Sequence, residues 1–390
     1  MQEDFHYYAT YCAAYLAGFS HEESLDLCYS AQFVDCCSGS LLAGVRGPVS
    51  AATTQLQLEL MEAGTDKASL QNMTRIWASF HFLPFDLDAE VRRGTRNYKD
   101  KYRLLCDINS DLLVRTVELA KGRPIPAAGI AMHVLADTWA HRYFAGTPSL
   151  VINNTDFSFR ELIPEGDGYR EERVNWRHNV AGPDDPGKAK YTNTVFQGTE
   201  YSVMNLGHGR AGHFPDYSYA RYKYLPAWGQ YAEVVKDNPA DYWQAFCQMV
   251  YALRFLRGEY AAFEKDTYDT VKTEPFREEI RQILERRQRV ACREWKAFGE
   301  RLSGREIPDF AVGTWEEEYK AASSEEKNNT RLGQFIQAAL RQKSMVTGQI
   351  ACSGNRLAGK PIGFERSGFA DREEYMEYAE RDLIRREKSL

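Results

Sequence analysis

The amino-acid sequence predicts an all-α fold, because two kinds of helix signal recur along most of the chain. Apolar residues repeat with the spacing of amphipathic helices, and residues that start or stop helices separate these repeats. The helices predicted in this way cover residues 5–17, 20–37, 108–121, 125–144, 242–257, 274–302, 324–346 and 371–387.

The first two helices carry the clearest end signals. Gly18 is a natural stop for the first helix, and Ser20 with Glu23 forms a capping box that opens the second. Asp35 falls in the last turn of the second helix, where the helix dipole disfavours a carboxylate, so a nearby cation would explain it. Residues 39–75 stay unassigned, because part of this range alternates like a strand yet contains good helix formers.

Residues 145–206 predict a long loop excursion, since Gly, Pro, Asn and Asp are frequent there. Loops of this length in compact domains are often functional. The excursion ends in a short stretch where three glycines bracket His208 and His213. We therefore divide the chain into a first domain of residues 1–225, which contains this loop, and a helical C-terminal extension of residues 226–390.

The composition predicts a soluble, cytoplasmic protein. Hydrophobic residues make up 43% of the 390 residues, and no apolar run approaches the ~20 residues of a membrane span. The N-terminus lacks the features of a signal peptide, and the eight cysteines form no CxxC pair, so we expect reduced thiols. The net charge of −6 gives no strong nucleic-acid signature.

The motif that predicts chemistry places His133, Asp137 and His141 four residues apart. On a helix these side chains share one face, and each step of four residues rises about 6 Å. The two histidines are then roughly 12 Å apart along the axis, too far to bind one ion at the usual ~2 Å zinc–nitrogen distance. The motif therefore favours two ions, with Asp137 between them as a bridging carboxylate.

Further histidines and carboxylates extend this motif into an ordered set that suits Zn²⁺. The set comprises His6, Asp35, His81, His133, Asp137, His141, His208, His213 and Asp216. This order resembles that of the superfamily of zinc-dependent phospholipase C and fungal single-strand nucleases, an all-helical fold that holds three zinc ions and cleaves phosphoester bonds. The phrases Asp4-Phe-His-Tyr-Tyr, Phe80-His-Phe-Leu-Pro and His133-Val-Leu-Ala-Asp-Thr-Trp-Ala-His look like a bacterial branch of it. The resemblance covers residues ~1–225.

The resemblance implies a ligand set for two or three zinc ions. The first ion would be held by Asp35, His81, His133 and Asp137, the second by His141 with residues from His208, His213 and Asp216, and the third by Asp137 and His6. His213 and Asp216 are three residues apart rather than the four usual in the family, so the choice between His208 and His213 stays open. Secreted members also use the amine of an N-terminal tryptophan. That amine is expected to be missing here, and Asp4 could supply a carboxylate instead, or the third site could be empty.

The function that the resemblance implies is metal-dependent hydrolysis of a phosphoester by metal-activated hydroxide, with Asp35 and Asp137 as the catalytic carboxylates. Arg142 and Arg210 lie beside predicted ligands and could bind phosphate, although pairing with surface carboxylates explains them as well. The substrate stays open among phospholipids, nucleotides, nucleic acids and other esters. The alternative is a non-catalytic, zinc-stabilised helical scaffold whose C-terminal helices bind another protein.

Overall fold

The fold is mixed α/β rather than all-α. A computed structural model describes residues 1–62, 66–155, 158–178, 182–229 and 232–359 of the chain. Within these residues, a four-stranded antiparallel sheet and a two-stranded parallel sheet accompany the helices. The all-α prediction is therefore wrong, because four of the six strands come from the region that the sequence predicts to be a loop.

The chain begins with a π-helical segment (Asp4–Ala9) that continues directly into the first α-helix. The α-helices of the described residues are α1 (Thr10–Leu16), α2 (His21–Phe33), α3 (Gly39–Gly44), α4 (Gln57–Glu62), α5 (Lys67–Phe80), α6 (Arg96–Tyr102), α7 (Asp111–Ala120), α8 (Ile125–Ala140), α9 (Asn238–Leu256), α10 (Arg277–Glu285), α11 (Cys292–Ser303), α12 (Thr314–Ala321) and α13 (Arg331–Cys352). Among these residues we find no helix long and apolar enough to cross a membrane.

Local sequence signals set several of these helix ends. Gly18 adopts a φ of +93° just after α1, and the capping box of Ser20 and Glu23 makes both of its hydrogen bonds at the start of α2. Helix α2 ends at Phe33, so Asp35 lies in the following turn rather than in the last turn of the helix. The helix predicted for residues 371–387 lies outside the described residues.

The strands are short, which explains why the sequence pattern missed them. They are β1 (Arg160–Glu165), β2 (Gly168–Arg173), β3 (Asn175–Arg177), β4 (Lys190–Thr192), β5 (Arg221–Tyr224) and β6 (Val234–Asp237). The antiparallel sheet has the order β2-β1-β5-β6, and β3 pairs with β4 in parallel. In β5 the buried Tyr222 and Tyr224 alternate with partly buried neighbours, which is the period of two expected of a strand.

Helix α8 forms the centre of the main core. All of its residues from Ala128 to Ala140 are buried, and it packs against α2, α7, α9 and α13. The hydrophobic cluster around it contains residues from both sides of the boundary predicted at residue 225, and that boundary falls between the paired strands β5 and β6. Segments from the whole described chain therefore surround the helix that carries the HxxxDxxxH motif.

A second, largely aromatic cluster lies between the sheet and the loop that carries His208. Phe82, Phe144, Phe159, Phe214 and Tyr222 are all buried in it. Rings that pack in this way fix the backbone on which they stand, because an interior at native density leaves few alternative arrangements. The cluster thus positions residues 207–216 against the end of α8.

A close approach of α2 and α8 depends on Gly129. A Cβ atom added there would lie 2.4 Å from Ser30 Cβ and 2.5 Å from Leu27 O, and the latter is a backbone atom that cannot rotate away. We expect Gly129→Ala to lower the free energy of unfolding by about 1–3 kcal/mol, the usual cost of overpacking a core. Urea denaturation monitored by circular dichroism measures this loss.

Gly44→Ala is the matched control, because nothing lies within 4 Å of a Cβ atom added at Gly44. This variant should change the free energy of unfolding by less than about 1 kcal/mol. Equal stability of the Gly129 and Gly44 variants would contradict the tight packing of α2 against α8.

Candidate metal centre

A buried carboxylate, Asp137, lies at the middle of the candidate metal centre. It belongs to the last turn of α8, and only 1% of its side chain is exposed. Its Oδ1 lies 3.1 Å from His6 Nε2, and its Oδ2 lies 3.2 Å from both His81 Nδ1 and His133 Nε2. One carboxylate therefore meets histidines from three separate elements, which is the arrangement that a bridging ligand requires.

Asp35, His81 and His133 form one group of potential ligand atoms, all within 4.8 Å of one another. His81 caps the C-terminus of α5, His133 lies in the middle of α8, and Asp35 lies in the turn after α2. The two histidine side chains are almost fully buried, whereas 32% of the Asp35 side chain is exposed. This group therefore faces solvent on its Asp35 side.

His141, His208 and Asp216 form a second group of the same kind. Asp216 Oδ1 lies 3.0 Å from His141 Nε2, and its Oδ2 lies 3.6 Å from His208 Nε2. A turn at Gly212, with a φ of +56°, brings the two loop residues together. An added Cβ there would lie 2.2 Å from Thr192 O, so only glycine fits this turn.

His6, His133 and Asp137 form a third group, and the π-helical segment supplies His6. The rings of His6 and His133 stack with their centroids 3.9 Å apart. The α-amino nitrogen of Met1 lies 2.7 Å from Asp137 Oδ1 and 3.3 Å from Asp216 Oδ1. An amine therefore lies at the position where the sequence predicts none.

Four of the five histidines in these groups are held by backbone carbonyl groups. The pairs are His81 Nε2 with Thr53 O at 3.0 Å, His133 Nδ1 with Ala31 O at 2.9 Å, His141 Nδ1 with His81 O at 2.7 Å and His208 Nδ1 with Gly212 O at 2.8 Å. A carbonyl oxygen only accepts, so the ring nitrogen that faces it carries a hydrogen. The same outer hydrogen bond orients histidines that bind metals, because it directs the other nitrogen inwards.

The inward nitrogens fit a bound cation. His81 Nδ1 and His133 Nε2 lie 3.3 Å apart, and both rings donate their outer hydrogen to a carbonyl group. If both rings are neutral, their inward nitrogens point lone pairs at each other and at Asp137, which is repulsive. A proton or a metal ion between them removes this repulsion. Neutral imidazole and carboxylate ligands are those that Zn²⁺ prefers, so the donor set fits zinc.

The electrostatics of the centre favour the ligand forms of Asp137 and His6. Burial alone would raise the pKa of Asp137, but His141, the Met1 amine, His133 and His6 together hold that pKa well below its ordinary value. Burial and the neighbouring His133 lower the pKa of His6 to about 4. At neutral pH the carboxylate is therefore ionised and His6 is neutral, as metal binding requires.

The Met1 amine carries a positive charge at neutral pH. Burial lowers its pKa, but Asp137, Asp216 and Asp35 outweigh that effect and raise the pKa to about 11. The ammonium group partly compensates the charge of the buried carboxylates.

The sequence left open which of His208 and His213 is the candidate ligand, and the structure places these two histidines differently. His208 belongs to the second group, whereas His213 Nδ1 lies 3.5 Å from Asp184 Oδ2 and 52% of the His213 side chain is exposed. His213 is predicted as a ligand but lies outside the three groups. The neighbouring Phe214 is buried in the aromatic cluster, and the turn directs His208 and His213 to different sides.

Asp4 also lies outside the three groups, although the sequence predicts it as a substitute ligand. Its Oδ1 accepts a hydrogen bond from Phe5 N–H at 2.9 Å, and its Oδ2 accepts one from Ala291 N–H at 2.8 Å. Burial raises the pKa of Asp4 to about 6. Both oxygens are thus used to join the π-helical segment to the start of α11.

Neither arginine that the sequence offers for phosphate binding is available. Arg142 Nε lies 2.8 Å from Asp107 Oδ1, which fixes this guanidinium group in an ion pair. Arg210 donates to the carbonyl oxygen of Thr194 and lies over the ring of Phe196. Other parts of the protein hold both side chains.

The sequence did not reveal the residues that hold the outer hydrogen-bond partners of the candidate ligands in place. Thr53 O accepts from His81, and the Thr53 hydroxyl donates to Val34 O at 2.7 Å, next to Asp35. Lys343 of α13 donates to Ser50 O and Ala52 O, which fixes the segment before Thr53. The Lys343 contacts join residues nearly 300 positions apart, so no spacing in the sequence could reveal them.

Lys343 makes the stability of the protein depend on pH. Burial lowers its folded-state pKa from 10.5 to about 7, so the unfolded chain binds the proton more readily, and the contribution of Lys343 to stability falls as pH falls from 10.5 towards 7. Relative to Lys343→Met, the wild-type free energy of unfolding should fall by about 3 kcal/mol between about pH 9.5 and pH 7. Urea denaturation at several pH values measures this difference.

Lys67→Met serves as the control for this comparison, because Lys67 is exposed at the start of α5. The difference in free energy of unfolding between Lys67→Met and wild type should stay constant over the same pH range. A constant difference for the Lys343 variant as well would contradict the perturbed titration of Lys343.

The two loop histidines allow a direct test of the ligand groups. We expect His208→Gln to lose about one metal equivalent relative to wild type, because a metal site with three protein ligands is weakened by the loss of one. His213→Gln should keep the wild-type content, and Asp137→Ala should lose more than one equivalent. Metal analysis of the purified proteins gives these values, and equal losses in the two histidine variants would contradict the assignment.

Comparisons with known proteins place the chain in one family. A family model described as a family of unknown function (DUF6765) matches residues 1–350. No curated protein and no solved structure matches the chain. Because the match covers most of the 390 residues, this chain belongs to the family of unknown function DUF6765.

Proposed function

We propose that this protein is a metal-dependent hydrolase, with zinc as the metal, that cleaves a phosphoester bond. The observation that carries the proposal is the presence of three ligand groups that each contain a histidine with a ring nitrogen 3.1–3.5 Å from Asp137. Backbone carbonyl groups orient four of the histidines in these groups. The order of these residues along the chain, which resembles that of zinc-dependent phospholipase C and single-strand nucleases, supports the same chemistry.

The number of ligands in the group of His141, His208 and Asp216 supports catalysis over a purely structural role. A structural zinc site is closed by four protein ligands, whereas a catalytic site has three and leaves a position for water or substrate. This group offers three side chains, and Asp35 of the neighbouring group is partly open to solvent. A substrate can therefore reach the centre from the side of Asp35.

The chain's own residues would hold two or three ions and exclude bulk water. Asp35, His81 and His133 would hold one, and His141, His208 and Asp216 another. Zinc ions bound there would supply a nucleophile at neutral pH and charge neutralisation for a phosphoryl group. Asp137 lies buried between the groups, where its two oxygens keep the inward nitrogens of His6 and His133 in place.

The test measures hydrolysis of a generic phosphodiester, a phosphomonoester and a phospholipid by purified protein, before and after chelation and after zinc is returned. We expect activity that the chelator removes and zinc restores. His81→Ala should lower kcat/KM by at least about 100-fold, since even residues that only support a ligand contribute 10–100-fold.

His178→Ala is the control, because His178 is exposed and belongs to none of the ligand groups. It should keep wild-type activity. If zinc-loaded wild type hydrolyses none of these esters, and His81→Ala lowers the melting temperature steeply, the metal serves the fold and the hydrolase proposal is wrong.

A further inference from the structure

A cavity separate from the metal centre lies between α7, α8 and α13. Its volume is about 160 Å³, and none of the residues that line it belongs to the three ligand groups. The apolar part of its wall includes Leu119, Ala120, Pro124, Ala127, Ile130 and Ala338. Concave, mainly apolar sites with a few polar groups are where proteins bind small molecules.

The charge of this cavity is positive. Arg123 and Arg341 both line it, and no aspartate or glutamate does. In the part of the chain that the structure describes, neither guanidinium group forms an ion pair. Both arginines are exposed to solvent, yet the buried part of Arg341 and the nearby positive charge of Arg123 lower the pKa of Arg341, so the two guanidinium groups repel each other. An anion between them would remove this repulsion.

The other polar side chains that line the cavity are uncharged, and several of them already donate hydrogen bonds within the protein. Gln342 donates to Ser79 O at 3.1 Å and to Thr116 Oγ1 at 3.0 Å, and Gln334 donates to Asn329 O at 3.1 Å. These amides therefore supply no counter-charge for the arginines. A ligand that suits the cavity has an apolar body and one anionic group at its end.

We propose that this cavity binds a small amphipathic carboxylate, whose apolar body fills the space and whose carboxylate group pairs with Arg123 and Arg341. An engineered cavity of about 150 Å³ in another protein holds benzene, so the body has about six carbon atoms. Guanidinium groups bind carboxylates through paired hydrogen bonds, which gives the head group its position. The site is independent of the proposed hydrolase activity.

Isothermal titration calorimetry with benzoate and hexanoate tests the proposal, with benzyl alcohol and 1-hexanol as neutral analogues of the same size. The carboxylates should bind at least about tenfold more tightly than the alcohols, a difference of about 1.4 kcal/mol. Arg123→Gln combined with Arg341→Gln should remove this preference. Arg293→Gln, which removes an exposed arginine outside the cavity, should leave it unchanged.

Ala338→Leu separates binding inside the cavity from attraction to its charged rim. The larger side chain fills part of the space while both arginines stay in place, so hexanoate should bind at least about tenfold more weakly. Titrations are run with metal-loaded and chelated protein, because a carboxylate could also bind zinc. Binding that survives both the double arginine change and Ala338→Leu, or alcohols that bind as tightly as carboxylates, would overturn the proposal.

Discussion

The rest of the structure depends on one constraint: the buried negative charge of Asp137 must be compensated within the protein. A carboxylate removed from water is stable only if cations or hydrogen-bond donors surround it. Here the π-helical segment, the end of α5 and the middle of α8 each direct a histidine nitrogen towards it, and Nδ1 of His141, the residue after α8, lies 3.5 Å away. The helices that supply these groups are therefore also the helices that α8 must pack against.

The second level of organisation is the layer of carbonyl groups behind the histidines. Each of these carbonyl groups belongs to a different stretch of backbone, and each is held in turn by further contacts, such as those from Lys343 to the segment before Thr53. Metal-binding geometry tolerates errors of only a few tenths of an ångström, which explains why a site of this kind is supported from behind. Ala291 at the start of α11 and Lys343 of α13 thus support a candidate centre whose potential ligands all precede residue 220.

The aromatic cluster and the sheet also hold candidate ligands in place, on the side of the centre where His141, His208 and Asp216 lie. They hold the loop of His208 and Asp216 against His141 at the end of α8, with ring contacts such as Phe82 on His141 at 4.7 Å. A loop rich in glycine would otherwise have many conformations, and the packing of large rings removes most of them. The sheet therefore helps to position the residues of the candidate site.

The sequence by itself determined the features that depend on neighbouring residues. Helix periodicity, the capping box of Ser20 and the spacing of His133, Asp137 and His141 are local, because a helix converts separation along the chain directly into position. It also indicated most of the candidate ligands, since imidazole and carboxylate groups in such settings suit metals.

Only the tertiary structure decided the rest. The strands β1 and β2 are too polar to be recognised, and the pairing of β1 with β5 is a contact between distant residues. His208 and His213 have similar local surroundings in the sequence, yet long-range packing of the loop turns one inwards and leaves the other in solvent. Lys343 and Thr53 became relevant only when folding brought α13 against the segment behind His81, because the hydrogen bonds that matter there cross most of the chain's length.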